Sequence, residues 1–275
     1  MVIPETGKDG RNTHYKLVDS LLQNNIAVYR YDERGVGKSG GNYINLYIFS
    51  EIRKYNDLYF CISNLRRNDV LIGKQIGVIG HSEGGLASIE AFIQGAELDF
   101  MIQWAKPVKP FEMVKYQYVS DPNLPFFETL KMEHKKKGEF IDLVNEVVQS
   151  NKNLKNQEIK KIIDQQAKLL NIKRKDYKSY ISYTLFISLL KKDYEATYKN
   201  INIPVLYIIG ALDELVDPIS NTELLSKMGN KKIDVQVVDG LYHMLTPKKF
   251  SEHKPDIYNI DDNALSKILE WVLNI

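Results

Sequence analysis

Short runs of β-branched and aromatic residues alternate along this chain with longer stretches in which apolar side chains recur at helical spacing. Residues 26–31, 75–79, 100–104, 205–209 and 234–238 read as strands. Between them, residues 15–22 place Leu17, Leu21 and Leu22 on one face, and residues 51–65 do the same with Ile52, Leu58, Ile62 and Leu65. The last stretch, 263–273, carries Leu265, Ile268, Leu269 and Val272 at helical period. Strands that alternate with helices predict an α/β chain, with a mostly parallel sheet covered on both faces.

One long stretch breaks this alternation. Residues 106–200 contain helical patterns such as Ile159, Ile162, Ile163 and Leu170, and no good strand. The expected organisation is therefore a sheet domain from 1–105 and 201–275, with a helical insert at 106–200. Within the insert, residues 131–178 hold 13 basic and 7 acidic residues. A nucleic-acid patch would need an unbroken basic surface. Here acidic residues are interleaved throughout, which fits the solvated faces of amphipathic helices, and no nucleic-acid partner is expected.

Composition narrows the class further. The 275 residues carry 37 Lys+Arg against 35 Asp+Glu, and 44% are hydrophobic, so the chain can bury a core and is not disordered. Its one cysteine, Cys61, excludes a disulfide framework and cysteine-rich metal sites, and reads as core packing on a helix. No apolar run is long enough to span a membrane. Met1 leads straight into Val2-Ile3-Pro4-Glu5, without the basic start and apolar stretch of a signal peptide. As written, the sequence points to the cytoplasm.

Two places match G-x-S-x-G, around Ser39 and around Ser82. The motif works as a sharp strand-to-helix turn, with glycines where any Cβ would clash. Ser82 directly follows a predicted strand and precedes the helical run Leu86-Ala87-Ser88-Ile89-Glu90-Ala91, whereas Ser39 is followed by Gly40-Gly41-Asn42. Ser82 is the candidate nucleophile and Ser39 a loop residue. Gly37-Lys38-Ser39 also imitates the end of a phosphate-binding loop, but Asp32 stands where its first glycine belongs.

A serine needs a base, and the base an orienting acid. Of the five histidines, His81 adjoins the nucleophile and should point into the fold, His14 precedes the first helix, and His134 lies among lysines. His243 follows the strand at 234–238 through a turn, at the edge where the elbow opens. His253 is the second candidate. After the strand at 205–209, Asp213, Glu214 and Asp217 compete as the acid. Asp213 lies closest to the strand and precedes Leu215-Val216, which would pin the loop, while Asp217 before Pro218 reads as a helix cap.

Assembled, these residues resemble the α/β-hydrolase superfamily, in its branch of serine esterases and S33-like peptidases. Gly80-His81-Ser82-Glu83-Gly84-Gly85 is similar to that branch's elbow. The segment from Tyr31 to Ser39 is similar to its D-x-R-G-x-G-x-S loop, and Thr6-Gly7-Lys8-Asp9-Gly10-Arg11-Asn12 to the segment that lines its oxyanion hole. The chain order Ser82, Asp213, His243 is the family's. The resemblance implies an oxyanion hole from the backbone N–H of Glu83 and of Thr6, no metal and no cofactor. The insert falls where the fold carries a helical cap, between its sixth and seventh strands. Glu5 replaces the family's first glycine, and the resemblance begins at the family's third strand, here Met1 to Pro4. N-terminal strands are therefore expected to be missing, and a longer gene product could be secreted or periplasmic.

The implied function is hydrolysis of carboxylic esters with short or medium acyl groups, through an acyl-enzyme on Ser82. The substrate would be a small-molecule ester. One rival is an S33-like aminopeptidase or amidase with the same triad, using a cap acid among Glu112, Glu133 and Glu139. The other is a catalytically impaired hydrolase fold that serves as a binding protein. Aromatic residues of the insert, Tyr116, Tyr118, Phe126, Phe127, Tyr177, Tyr180, Tyr183 and Phe186, either line a pocket or form the insert's own core.

Overall fold

Val-Leu-Tyr-Ile-Ile, a run of five apolar residues at 205–209, sits inside the sheet. In the computed structural model, which describes residues 1–3, 11–41, 51–124, 126–182, 184–249 and 259–275, this run forms β4 (Val205–Gly210), with all six residues buried. Such a strand needs cover on both faces. It lies between β3 (Phe100–Trp104) and β5 (Ile233–Val238), and β3 in turn lies beside β2 (Gly77–His81) and then β1 (Val2–Ile3). All pairings are parallel. The register aligns His81 with Trp104, Trp104 with Ile208, and Gly210 with Val238, so the C-terminal ends of these strands share one edge.

The helices cover the sheet through the faces that the periodicity marks. These are α1 (Tyr15–Gln23), α2 (Glu51–Arg66), α3 (Glu83–Ile93), α10 (Pro218–Met228) and α11 (Asp262–Leu273). Leu17 and Leu21 of α1, Leu58 and Ile62 of α2, and Leu265 and Ile268 of α11 are buried. The short α9 (Glu195–Asn200) belongs to the same unit, which is built from segments within Met1–Asn45, Ser50–Pro107 and Glu195–Ile275.

The expected strand at 26–31 is corrected. No strand forms there: its side chains alternate between half-buried and exposed, and Val2 N–H to Tyr29 O, at 3.4 Å, is its backbone bond to β1 among the described residues. One long bond makes no ladder.

The second compact unit, Val108–Tyr194, is helical. It contains α4 (Pro110–Ser120), α5 (His134–Ser150), α6 (Asn156–Leu169), α7 (Arg174–Ser182) and α8 (Thr184–Leu190), and no strand among the described residues. Val144, Val147 and Val148 of α5 and Ile159, Ile163 and Ala167 of α6 are buried. The Phe126 ring centre lies 4.7 Å from that of Tyr180, that of Phe140 4.6 Å from that of Tyr177, and that of Tyr180 4.9 Å from that of Phe186. These rings form the unit's own core. Tyr183 lies outside the described residues.

Candidate active site

The turn from β2 to α3 has the geometry a nucleophile elbow demands. Ser82 adopts φ 51°, ψ −111°, a conformation that costs a non-glycine residue about 1–3 kcal/mol and persists only when its surroundings enforce it. The enforcement is visible. Ser82 N–H donates to Trp104 O at 2.8 Å, and Ser82 O accepts from Gly85 N–H and Leu86 N–H at 2.9 and 3.1 Å. Gly80 is required, because a Cβ there would stand 2.5 Å from Gly84 O. Glu83 opens α3 and is buried. Unsatisfied N–H groups and the helix dipole make such a terminus favourable to negative charge.

The other half of the site hangs from the C-terminal ends of β4 and β5. Asp213 Oδ1 accepts from Leu215 N–H and Val216 N–H, both at 2.8 Å, which fixes the carboxylate. His243 Nδ1 lies 2.9 Å from Asp213 Oδ2 and 3.1 Å from Oδ1. Both side chains are fully enclosed, at 1% and 0% exposure. Further bonds hold the loops together: Leu212 N–H to Leu241 O at 2.9 Å, Trp104 Nε1–H to His243 O at 3.1 Å, and His243 N–H to Glu214 Oε2 at 3.2 Å. Gly210 permits this closeness, since a Cβ would meet Leu241 O at 2.2 Å. The His243 ring lies 5.1 Å from that of His81, the residue before Ser82. Asp213 and His243 thus form a carboxylate–imidazole pair at the edge where the elbow turns. Asp217 caps α10, accepting from Ile219 N–H and Ser220 N–H.

Two buried clusters beside the elbow escaped the reading of the sequence. His81 Nδ1 lies 3.2 Å from His14 Nε2, and the His81 ring stacks on Trp104 at 4.3 Å. Burial lowers the His14 pKa to about 3, helped by the charge of Arg30, and pushes that of His81 well below its ordinary value. In the second cluster, Lys54 Nζ lies 2.8 Å from Glu33 Oε1 and 3.1 Å from Glu83 Oε2. Burial opposes the Lys54 charge, but Glu83 and Glu33 outweigh it and hold the ammonium above its usual pKa. A signal for Lys54 was present, because it lies one turn before Leu58 and Ile62 on the buried face of α2.

The remaining candidates fall elsewhere. Ser39 is in a loop, its hydroxyl donating to Asp32 O at 2.5 Å. The Asp32 carboxylate is held by Arg11 N–H, the Arg11 guanidinium and Lys38 N–H. Burial and the charge of Asp57 raise the Cys61 thiol, which leaves little thiolate. His134 opens α5 in the helical unit. Thr6, Glu5 and His253 lie outside the described residues. Among the described residues there is no cluster of metal-ligating groups, and no helix is long and apolar enough to cross a membrane.

Comparison with known proteins follows the same lines. Solved structures that match include an esterase from Pyrococcus furiosus, with 18% identity, a TM-score of 0.58, and coverage of 99% of this chain and 81% of that one. A monoacylglycerol lipase from Paleococcus ferrophilus matches at 15% identity and TM-score 0.53, covering 99% and 93%. A meta-cleavage product hydrolase from Pseudomonas fluorescens matches at 14% and 0.54, covering 99% and 89%. These likenesses show the fold. No curated protein sequence matches the chain. The family model described as "Serine aminopeptidase, S33" matches residues 9–248, and the chain therefore belongs to that family of α/β hydrolases.

Proposed function

We propose that the protein is a serine hydrolase of carboxylic esters with short or medium acyl groups. The observation that carries this reading is the enclosed Asp213–His243 pair, at 2.9 Å, on the sheet edge where Ser82 is held at φ 51°. In this mechanism Ser82 Oγ attacks the ester carbonyl while His243 Nε2 takes the hydroxyl proton. Asp213 keeps Nδ1 protonated and stabilises the imidazolium. The carbonyl oxygen becomes an oxyanion facing the Glu83 N–H, with Thr6 N–H as the second donor. Collapse expels the alcohol, which takes its proton from His243. Water, deprotonated by His243, then attacks the acyl-enzyme and releases the acid. No step calls on a metal or cofactor. The place of residues 106–200 in the chain, between β3 and β4, supports a cap role in substrate choice.

The family's description favours a second reading, an aminopeptidase using the same residues. Turnover of p-nitrophenyl esters against aminoacyl anilides separates the two. Efficient ester turnover with little anilide cleavage is expected, and the reverse preference would replace the esterase by the peptidase. A folded protein that a fluorophosphonate leaves unlabelled would remove both and leave a binding protein.

A further inference from the structure

Lys54, Glu33 and Glu83 come from three separate elements, α2, the loop after residue 31 and the start of α3, yet meet with side-chain exposures of 5%, 8% and 4%. Glu83 occupies a special place. It directly follows Ser82, and its backbone N–H is the oxyanion donor of the proposed mechanism. Its carboxylate sits in the first turn of α3, where the helix field is positive. An ionised carboxylate there, uncompensated in a dry site, subtracts from the potential that a developing oxyanion requires. Packing alone calls for an apolar residue at this position, and at position 54 on the buried face of α2. The chain instead places an ammonium within 3.1 Å of the Glu83 carboxylate and braces it with Glu33 from the other side.

We propose that Lys54 is a positioning residue of the hydrolytic site, cancelling the Glu83 charge at the N-terminus of α3 and fixing the side chain next to the oxyanion donor. The inference rests on Ser82 being the nucleophile. Lys54 acts through Glu83 and touches no substrate. Glu33 brings the enclosed cluster to one positive and two negative groups, so it anchors Lys54 without being needed for the cancellation. His81 of β2, which also feels the Lys54 charge, is held neutral by burial.

The test follows the rate of Ser82 phosphonylation by a fluorophosphonate, in which the Oγ–P bond forms, fluoride leaves and the hydroxyl proton passes to His243. Ester kcat and KM are measured alongside on the whole protein. Lys54→Met should slow labelling and kcat by about tenfold or more while KM stays near its original value. Adding Glu83→Gln to Lys54→Met should recover most of that loss, because the uncompensated charge is then gone. A residue that merely supports the fold would show no such recovery. Glu33→Gln, which leaves a neutral Lys54–Glu83 pair, should keep the labelling rate at or above that of the original protein even where its melting temperature falls. This variant keeps the question answerable if Lys54→Met does not fold. Labelling of folded Lys54→Met at the original rate, absence of recovery in the double variant, or a loss of rate in Glu33→Gln would each overturn the inference. A folded original protein that stays unlabelled would instead overturn the nucleophile assignment.

Discussion

Replacing Gly80 by alanine probes how the elbow is held. The added Cβ would stand 2.5 Å from Gly84 O, 2.7 Å from Gly84 C and 2.7 Å from Gly85 Cα, where ordinary contact begins at 3.4 Å. All three atoms are backbone of the first turn of α3, so no side chain can swing aside. The strand and helix must part by most of an ångström. Overpacking of a tight interior costs about 1–3 kcal/mol, and a clash with backbone alone belongs at the upper end. The same shift displaces Ser82, and a misplacement of about 1 Å lowers a rate by roughly a hundredfold. Urea unfolding followed by tryptophan fluorescence reads the first quantity, since Trp104 is buried against the elbow. Fluorophosphonate labelling reads the second. Gly40→Ala is the control, because a Cβ there has nothing within 4 Å among the described residues. It should stay within about 0.5 kcal/mol of the original protein. If Gly80→Ala matches the original protein in both stability and labelling, or if Gly40→Ala is equally damaging, the steric account of the elbow is wrong.

Three further outcomes are expected. Ser82→Gly should abolish ester turnover yet raise the unfolding free energy by about 1 kcal/mol, because glycine tolerates φ 51° without strain; an unchanged or lower urea midpoint would contradict the strain. Asp213→Asn, which leaves the pair's shape but favours the wrong His243 tautomer, should lower kcat by a factor on the order of 10⁴, the loss typical of serine triads; steady-state kinetics with a loss under tenfold would remove Asp213 from its proposed role. Stability should fall as the pH drops below about 6.5, because the unfolded chain then protonates His14 while the folded one resists down to about 3. The slope is up to about 1.4 kcal/mol per pH unit from His14, and about twice that with His81 added. Urea midpoints between pH 7 and 4 measure it, and a His14→Gln variant should flatten the curve.

Much of the sheet was legible because its strands are short, apolar and bounded by helical runs. The stretches at 100–104 and 205–209 became β3 and β4 within a residue, both being continuous runs buried on two faces. Residues 26–31 failed for a reason that composition does not carry. Ile26, Val28 and Tyr29 favour strands, but a strand exists through its ladder, and among the described residues one long bond, Val2 N–H to Tyr29 O, joins this stretch to β1. The helical unit's aromatic residues were ambiguous because period three suits both a pocket wall and a core; their burial inside the unit gives the core.

The elbow and the Asp213–His243 pair could be read because each follows a strand, so topology alone brings them to one edge. The buried clusters could not, since His14, Lys54 and Glu33 are far apart in sequence, and the register of Lys54 with Leu58 and Ile62 marks its burial but not its partners. They nonetheless explain how the proposed base can work. His243 must become an imidazolium in mid-reaction, and a charged His81 ring 5.1 Å away would oppose that. Burial, helped by His243 and His14, keeps His81 neutral instead. On the other flank, the Glu83 carboxylate would oppose the oxyanion, and Lys54 at 3.1 Å offsets it. The groups around the elbow are thus each held in one protonation state, His14 and His81 without charge and Lys54 with it. His243, as the proposed base, is then left to change charge without His81 titrating against it.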